Sequence, residues 1–323
     1  MNKLLPTKTK SARFKKLSLG AILVLGCVSL QAQTLTDGLM MGKQKFCTGF
    51  MYMNDSWDEY WEGELKRENG NIGKITTQSL MWFGNYGITD KINVMAMVPY
   101  VKTKASMGTL HSMEGIQDLS IGVKYNFFRK DFEKSVFKAL AAFNFSTPLT
   151  DYTPDFFPLA LGTHTTNLTY RLNAYYKLEP GWFANASAGY TWRSNTTLDR
   201  PSYYDGTEFF ISDEVEIPNV FDVFASIGYL KGAIQAEVNY SQQNTLGGGD
   251  IRRQDMPFVS NRMNYQKVGL LVMYYLPKPK NFAVRGSVQY TVAGRNVGQA
   301  TTLLGGILYT FNFGKEKQNP PVE

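Results

Sequence analysis

Apolar residues at every second position, in runs of 10 to 14 residues, constrain this 323-residue chain more than any other feature. Phe282, Val284, Gly286, Val288, Tyr290 and Val292 fall on one face, and Arg285, Ser287, Gln289 and Thr291 on the other. That period belongs to an extended strand, not to a helix. Ile234, Ala236, Val238 and Tyr240 oppose Gln235, Glu237, Asn239 and Ser241 in the same way. Leu168, Tyr170, Leu172, Ala174 and Tyr176 oppose Asn167, Thr169, Arg171 and Asn173. A soluble sandwich also alternates, but its strands usually stop near about 5–6 residues, whereas a tilted membrane strand needs roughly 9–11.

Counting such runs predicts about twelve strands, near 42–53, 72–86, 91–104, 117–129, 135–148, 164–178, 182–195, 219–230, 232–245, 264–276, 282–294 and 299–313. Short connections alternate with long polar ones near 54–71, 105–116, 150–163, 196–218 and 246–263, the layout of an outer-membrane barrel. The fold class is therefore all-β, a transmembrane antiparallel up-and-down β-barrel of a Gram-negative outer membrane. Tyr and Phe supply 19 and 21 residues, many at strand ends, where ring side chains would form interface girdles. Trp82, Tyr86, Tyr125, Phe127, Tyr175, Tyr176, Trp182, Tyr190, Trp192, Tyr229, Tyr274 and Tyr275 are the expected members. The last strand ends Tyr309, Phe311, Phe313 on one face, like the assembly signal of such barrels, with ten polar residues after it.

The net charge of +7 is local. Lys3, Lys8, Lys10, Arg13, Lys15 and Lys16 precede any acid, and removing these six of the 34 basic residues leaves 28 against 27 acidic ones. A nucleic-acid partner is excluded on that balance. The basic stretch followed by the apolar run Leu17–Leu30 reads instead as a signal peptide over 1–32, cleaved after Ala32. A membrane anchor and a lipoprotein signal at Cys27 are the alternatives. The remaining domains are a barrel over 33–313 and a polar periplasmic tail over 314–323. Cys47 is then left without a disulfide partner and is expected as a small packed side chain.

One stretch is more specific. Residues 87–101 read GITDKINVMAMVPYV and residues 115–128 read GIQDLSIGVKYNFF. A Gly-Ile-Thr-Asp turn, a strand ending Val-Pro-Tyr and then Gly-x-x-Asp-Leu-x-x-Gly-x-Lys-Tyr resembles the family of the MetA pathway of phenol degradation. The resemblance extends over roughly 38–313, with Gln117 a departure from the small residue expected there. It implies an outer-membrane channel for small hydrophobic or aromatic compounds and supplies no catalytic residues.

The residues offer little for chemistry. His111 and His164 are far apart in expected loops, without a Cys, Asp or Glu cluster at ligand spacing, so neither a metal nor another cofactor is expected. A barrel hydrolase would need a hydroxyl beside His164; Thr166 and Asn173 are its weak candidates. The inner face is more informative. Lys124, Lys138, Arg171, Arg193 and Arg285 are assigned to the lumen against Asp222 and Glu237, with Met81, Phe83, Met95, Met97 and Phe224 as an apolar lining. A basic majority could steer anions, or its charges could pair and fill a closed lumen. The function expected is passive uptake of small, hydrophobic or aromatic cargo. The alternative is a non-conducting barrel whose long loops, with Trp57, Trp61, Tyr203 and Tyr204, make surface contacts; a hydrolase is third. Expected partners are outer-membrane lipids, the barrel-assembly machinery and small-molecule cargo.

The face assignment can be tested directly. Val288→Lys should cost about 2–4 kcal/mol of folding stability in lipid vesicles, because the charge enters hydrocarbon, while Gln289→Lys should cost far less. A reversed order places the register one residue off.

Overall fold

The computed structural model describes residues 34–314 except 206–207 and 253–255. The expected leader with Cys27, and all of the polar tail after Gly314, lie outside the described residues. Twelve long strands make the barrel: β1 (Lys45–Trp57), β2 (Ile75–Gly87), β3 (Ile92–Ala105), β4 (Asp118–Phe132), β5 (Ser135–Pro148), β6 (Asn167–Leu178), β7 (Trp182–Arg193), β8 (Val220–Lys231), β9 (Ile234–Thr245), β10 (Asn264–Tyr275), β11 (Phe282–Arg295) and β12 (Thr301–Asn312). Each pairs antiparallel with its neighbours in sequence, and β12 closes on β1 from Lys45–Asn312 to Ser56–Thr301. These pairings close the twelve long strands into a ring.

Alternation places the faces. Leu172, Ile227 and Ile307 are 64%, 66% and 60% exposed on the outer surface, a degree of apolar exposure suited to lipid rather than water. Two bulges adjust it. One in β10 shifts the register between Gln266 and Lys267. The other, in β4 between Asn126 and Phe128, leaves both Phe127 and Phe128 exposed near the short-turn rim. The outer girdle includes Trp82, Tyr125, Tyr176, Trp182 and Tyr274. Tyr175 and Tyr275, expected in that girdle, face inward and are buried. Each follows or precedes an outward Tyr, and adjacent strand residues cannot share a face. Cys47 is buried in the inner cluster with Met41, Met51 and Met81.

The chain before β1 turns into the barrel. Gln44 is fixed at the short-turn rim by its N–H to the Gly87 carbonyl at 2.8 Å and by its own carbonyl, which accepts from Phe313 N–H at 2.9 Å. From there Leu39 and Met41 pack against the inner cluster. Gly38 lies so close to the wall that an added Cβ would sit 2.0 Å from the Tyr175 Cβ. At the other end the long loops form a folded cap. A hairpin (Glu59–Glu62 with Leu65–Glu68) meets the β11–β12 turn, and Leu198, Tyr203, Val215, Ile217, Phe258 and Val259 form a small core of their own.

Gly38→Val should drive the inner segment off the Tyr175 wall. Single-channel conductance in planar bilayers should then rise toward that of a variant lacking residues 34–41; conductance equal to wild type would show that the segment does not obstruct ion flow.

Candidate functional site

Inward positions of the twelve strands bring the lumen residues around the segment 34–41. Lys124, on β4, is wholly buried, and its Nζ donates to the Thr34 carbonyl at 2.6 Å, to Asp37 Oδ1 at 3.1 Å and to the Asp37 carbonyl at 3.3 Å. A buried ammonium without such partners would be strongly disfavoured. The Asp37 carboxylate also accepts from Thr34 N–H, from Thr34 Oγ1 at 2.8 Å and from Leu39 N–H at 2.9 Å, which folds the segment into a turn. Two and three strands further round the wall, the Asn173 and Asn185 amides donate to the carbonyls of Leu35 and Thr36 at 3.0 and 2.8 Å. Three strands thus read the backbone of one short segment.

Two cavities flank it. The apolar one, about 220 Å³, is lined by Leu35, Met51, Phe83, Met95, Met97 and Leu308 among others. The polar one, about 280 Å³, is lined by Asp37, Phe224, Gln235, Glu237, Asn239, Ser287 and Gln289 among others. Arg285 and Thr34 border both. Met81 lies opposite Met51 across the β1–β2 pair and is buried in the inner cluster.

The other candidate residues are distributed around the ring. Arg171 and Asp222 lie two strands apart with Gly189 between them, and the missing side chain there lets them pair at 2.7 Å. Arg171 also donates to Ser187 Oγ at 2.9 Å. Lys138 lies over the Tyr175 ring at 5.4 Å. Arg193 ends β7 near the long loops and is partly buried. His164 stands edge-on to Tyr152 at 4.9 Å, and the Asn173 amide nitrogen is engaged by the inner segment. Thr166 hydrogen-bonds to Thr147 at 3.0 Å. No nucleophile–base–orienter arrangement forms at His164 among the described residues. What inspection of the residues missed is the segment 34–41 itself; its one signal is an Asp and an apolar Leu-Met-Met run just before the first strand.

At the long-loop end, Arg295 joins Asp250 at 2.6 Å and Glu64 at 3.0 Å. The Arg295 guanidinium, helped by the Asn296 amide, holds the Asp250 carboxyl down at about 2. The cap keeps this charged tie at any neutral or mildly acidic pH.

A closed ring with an apolar exterior and a charged interior holding cavities defines an outer-membrane β-barrel of the up-and-down class. The chain belongs to the family of the MetA-pathway of phenol degradation, whose model matches residues 74–307. Among solved structures it is similar to an outer membrane channel from Pseudomonas putida F1, with 12% identity, a TM-score of 0.68, and 87% of this chain and 100% of that chain covered. A weaker likeness, with 10% identity and a TM-score of 0.44, is to the translocator domain of the autotransporter NalP from Neisseria meningitidis; it covers 84% of this chain and 90% of that one. No curated protein matches the chain in sequence.

Removing one partner of a buried ion pair leaves the other charge uncompensated, at about 3–5 kcal/mol. Lys124→Met should therefore destabilise the barrel in a urea titration in vesicles by that order. Adding Asp37→Asn should recover part of the loss, and strictly additive effects would show that the two residues act independently.

Proposed function

We propose that this barrel is an outer-membrane channel for small apolar molecules of about the size of one aromatic ring. One observation carries the reading: the 220 Å³ cavity beside the inner segment, walled by Met51, Phe83, Met95, Met97 and Leu308. An apolar cavity of about 150 Å³ is already enough to hold benzene. Methionine thioethers adapt to guests of different shape, which suits a class of cargo rather than one compound. The segment 34–41, pinned by Lys124, Asn173 and Asn185, takes up the middle of the lumen and leaves little room for a broad aqueous path. That arrangement favours apolar passengers over hydrated ones. The P. putida relative's description as an outer membrane channel supports transport as the activity.

The same pinned segment is the observation that favours the second reading, a closed barrel acting through its loops. Uptake separates the two. Proteoliposomes containing the barrel should admit toluene faster than empty vesicles, while swelling in sugars stays low. Met95→Gln with Met97→Gln should slow toluene entry about tenfold, equivalent to roughly 1.4 kcal/mol of lost apolar contact. Toluene entry no faster than in empty vesicles would establish the closed barrel instead.

A further inference from the structure

Arg285 stands apart from the other lumen charges. It projects inward from β11, with Met273 opposite on one neighbouring strand and Gly306 on the other. Among the described residues its side chain makes no ion pair or hydrogen bond, and its Nε is shielded from solvent without an acceptor. An enclosed guanidinium N–H without an acceptor is costly, so the Nε favours an anionic partner at this position. The nearby carboxylates do not serve. Asp37 is engaged by Lys124, Thr34 and Leu39. Glu237 shares the polar cavity but forms no ion pair with Arg285; it receives the Ser226 hydroxyl at 3.3 Å. Lys124 and Arg171 are neutralised by Asp37 and Asp222, Lys138 lies over the Tyr175 ring, and neither Lys138 nor Arg193 borders either cavity.

Placement gives the free charge a purpose. Arg285 borders the methionine-lined cavity on one side and the polar cavity on the other. We propose that Arg285 is the receptor for the head group of an amphiphilic monocarboxylate, whose ring or short alkyl body occupies the methionine-lined cavity. This rests on the channel reading above and narrows its cargo. The planar guanidinium fork matches a carboxylate in two parallel hydrogen bonds, which a neutral amide cannot reproduce. Glu237, which lines the same polar cavity, opposes a second negative charge, which selects monoanions over phosphate dianions.

The test compares two molecules of nearly the same shape, benzoate and benzamide, binding to the full barrel in detergent by isothermal titration calorimetry. Wild type should bind benzoate about tenfold more tightly than benzamide, as a charge-assisted bidentate contact requires. In Arg285→Met the ratio should fall to near one, and Arg285→Lys should restore part of it. Equal affinities in wild type overturn the proposal, and that comparison stands even where a variant fails to fold. A ratio that persists in Arg285→Met overturns it too. Toluene entry into wild-type proteoliposomes, measured in parallel, reports on the channel reading separately: a preserved benzoate preference without toluene entry would leave Arg285 a binding site in a barrel that does not conduct.

Discussion

The structure depends on one pairing, that of β1 with β12. Hydrocarbon supplies no hydrogen-bond partners, so an open sheet edge at membrane depth would leave a row of N–H and C=O groups unsatisfied. The pairing from Lys45–Asn312 to Ser56–Thr301 removes that edge. It also makes the lumen. Only in a closed ring do Met51 on β1, Phe83 on β2 and Leu308 on β12 wall one cavity.

Much of the fold was legible because each strand separates two different solvents. Val284 and Val292 had to face lipid, and Arg285 and Gln289 could not, so the period of two carried both strand and orientation. Periodicity says nothing about which inward side chains touch. Arg171 reaches Asp222 because β6, β7 and β8 align Gly189 between them, while Arg285, on an equally alternating strand, meets no carboxylate. That difference lies in inter-strand register. The segment 34–41 was harder still. It has no period, and its partners Lys124, Asn173 and Asn185 stand roughly a quarter to a half of the chain away in sequence.

Polar groups within the barrel divide by how fully they are satisfied. Lys124, at 0% exposure, would be an expense without return were it not surrounded by two carbonyls and a carboxylate. Because all three acceptors belong to the inner segment, the charge specifies one docking position for it. Arg285 lacks such an arrangement and, unlike Lys138 and Arg193, borders both cavities. Satisfied charges fix the architecture; an unsatisfied one is not needed for it.

The inner segment has a mechanical consequence. A ring of strands is stiff along its hydrogen bonds but easily flattened, since ovalising it breaks none of them. Residues 34–44 leave the rim beside β1 and fasten to β4, β6 and β7 on the opposite arc, like a spoke across a wheel. The spoke fixes one diameter. The arc from β8 to β12, which carries Phe224, Glu237 and Arg285 and faces the polar cavity, meets residues 34–41 by apolar packing and, among the described residues, takes no hydrogen bond from them. Any breathing of the cross-section should therefore concentrate in that arc, widening or narrowing the space in front of Arg285 while the methionine-lined wall near the rim of β1 holds its shape.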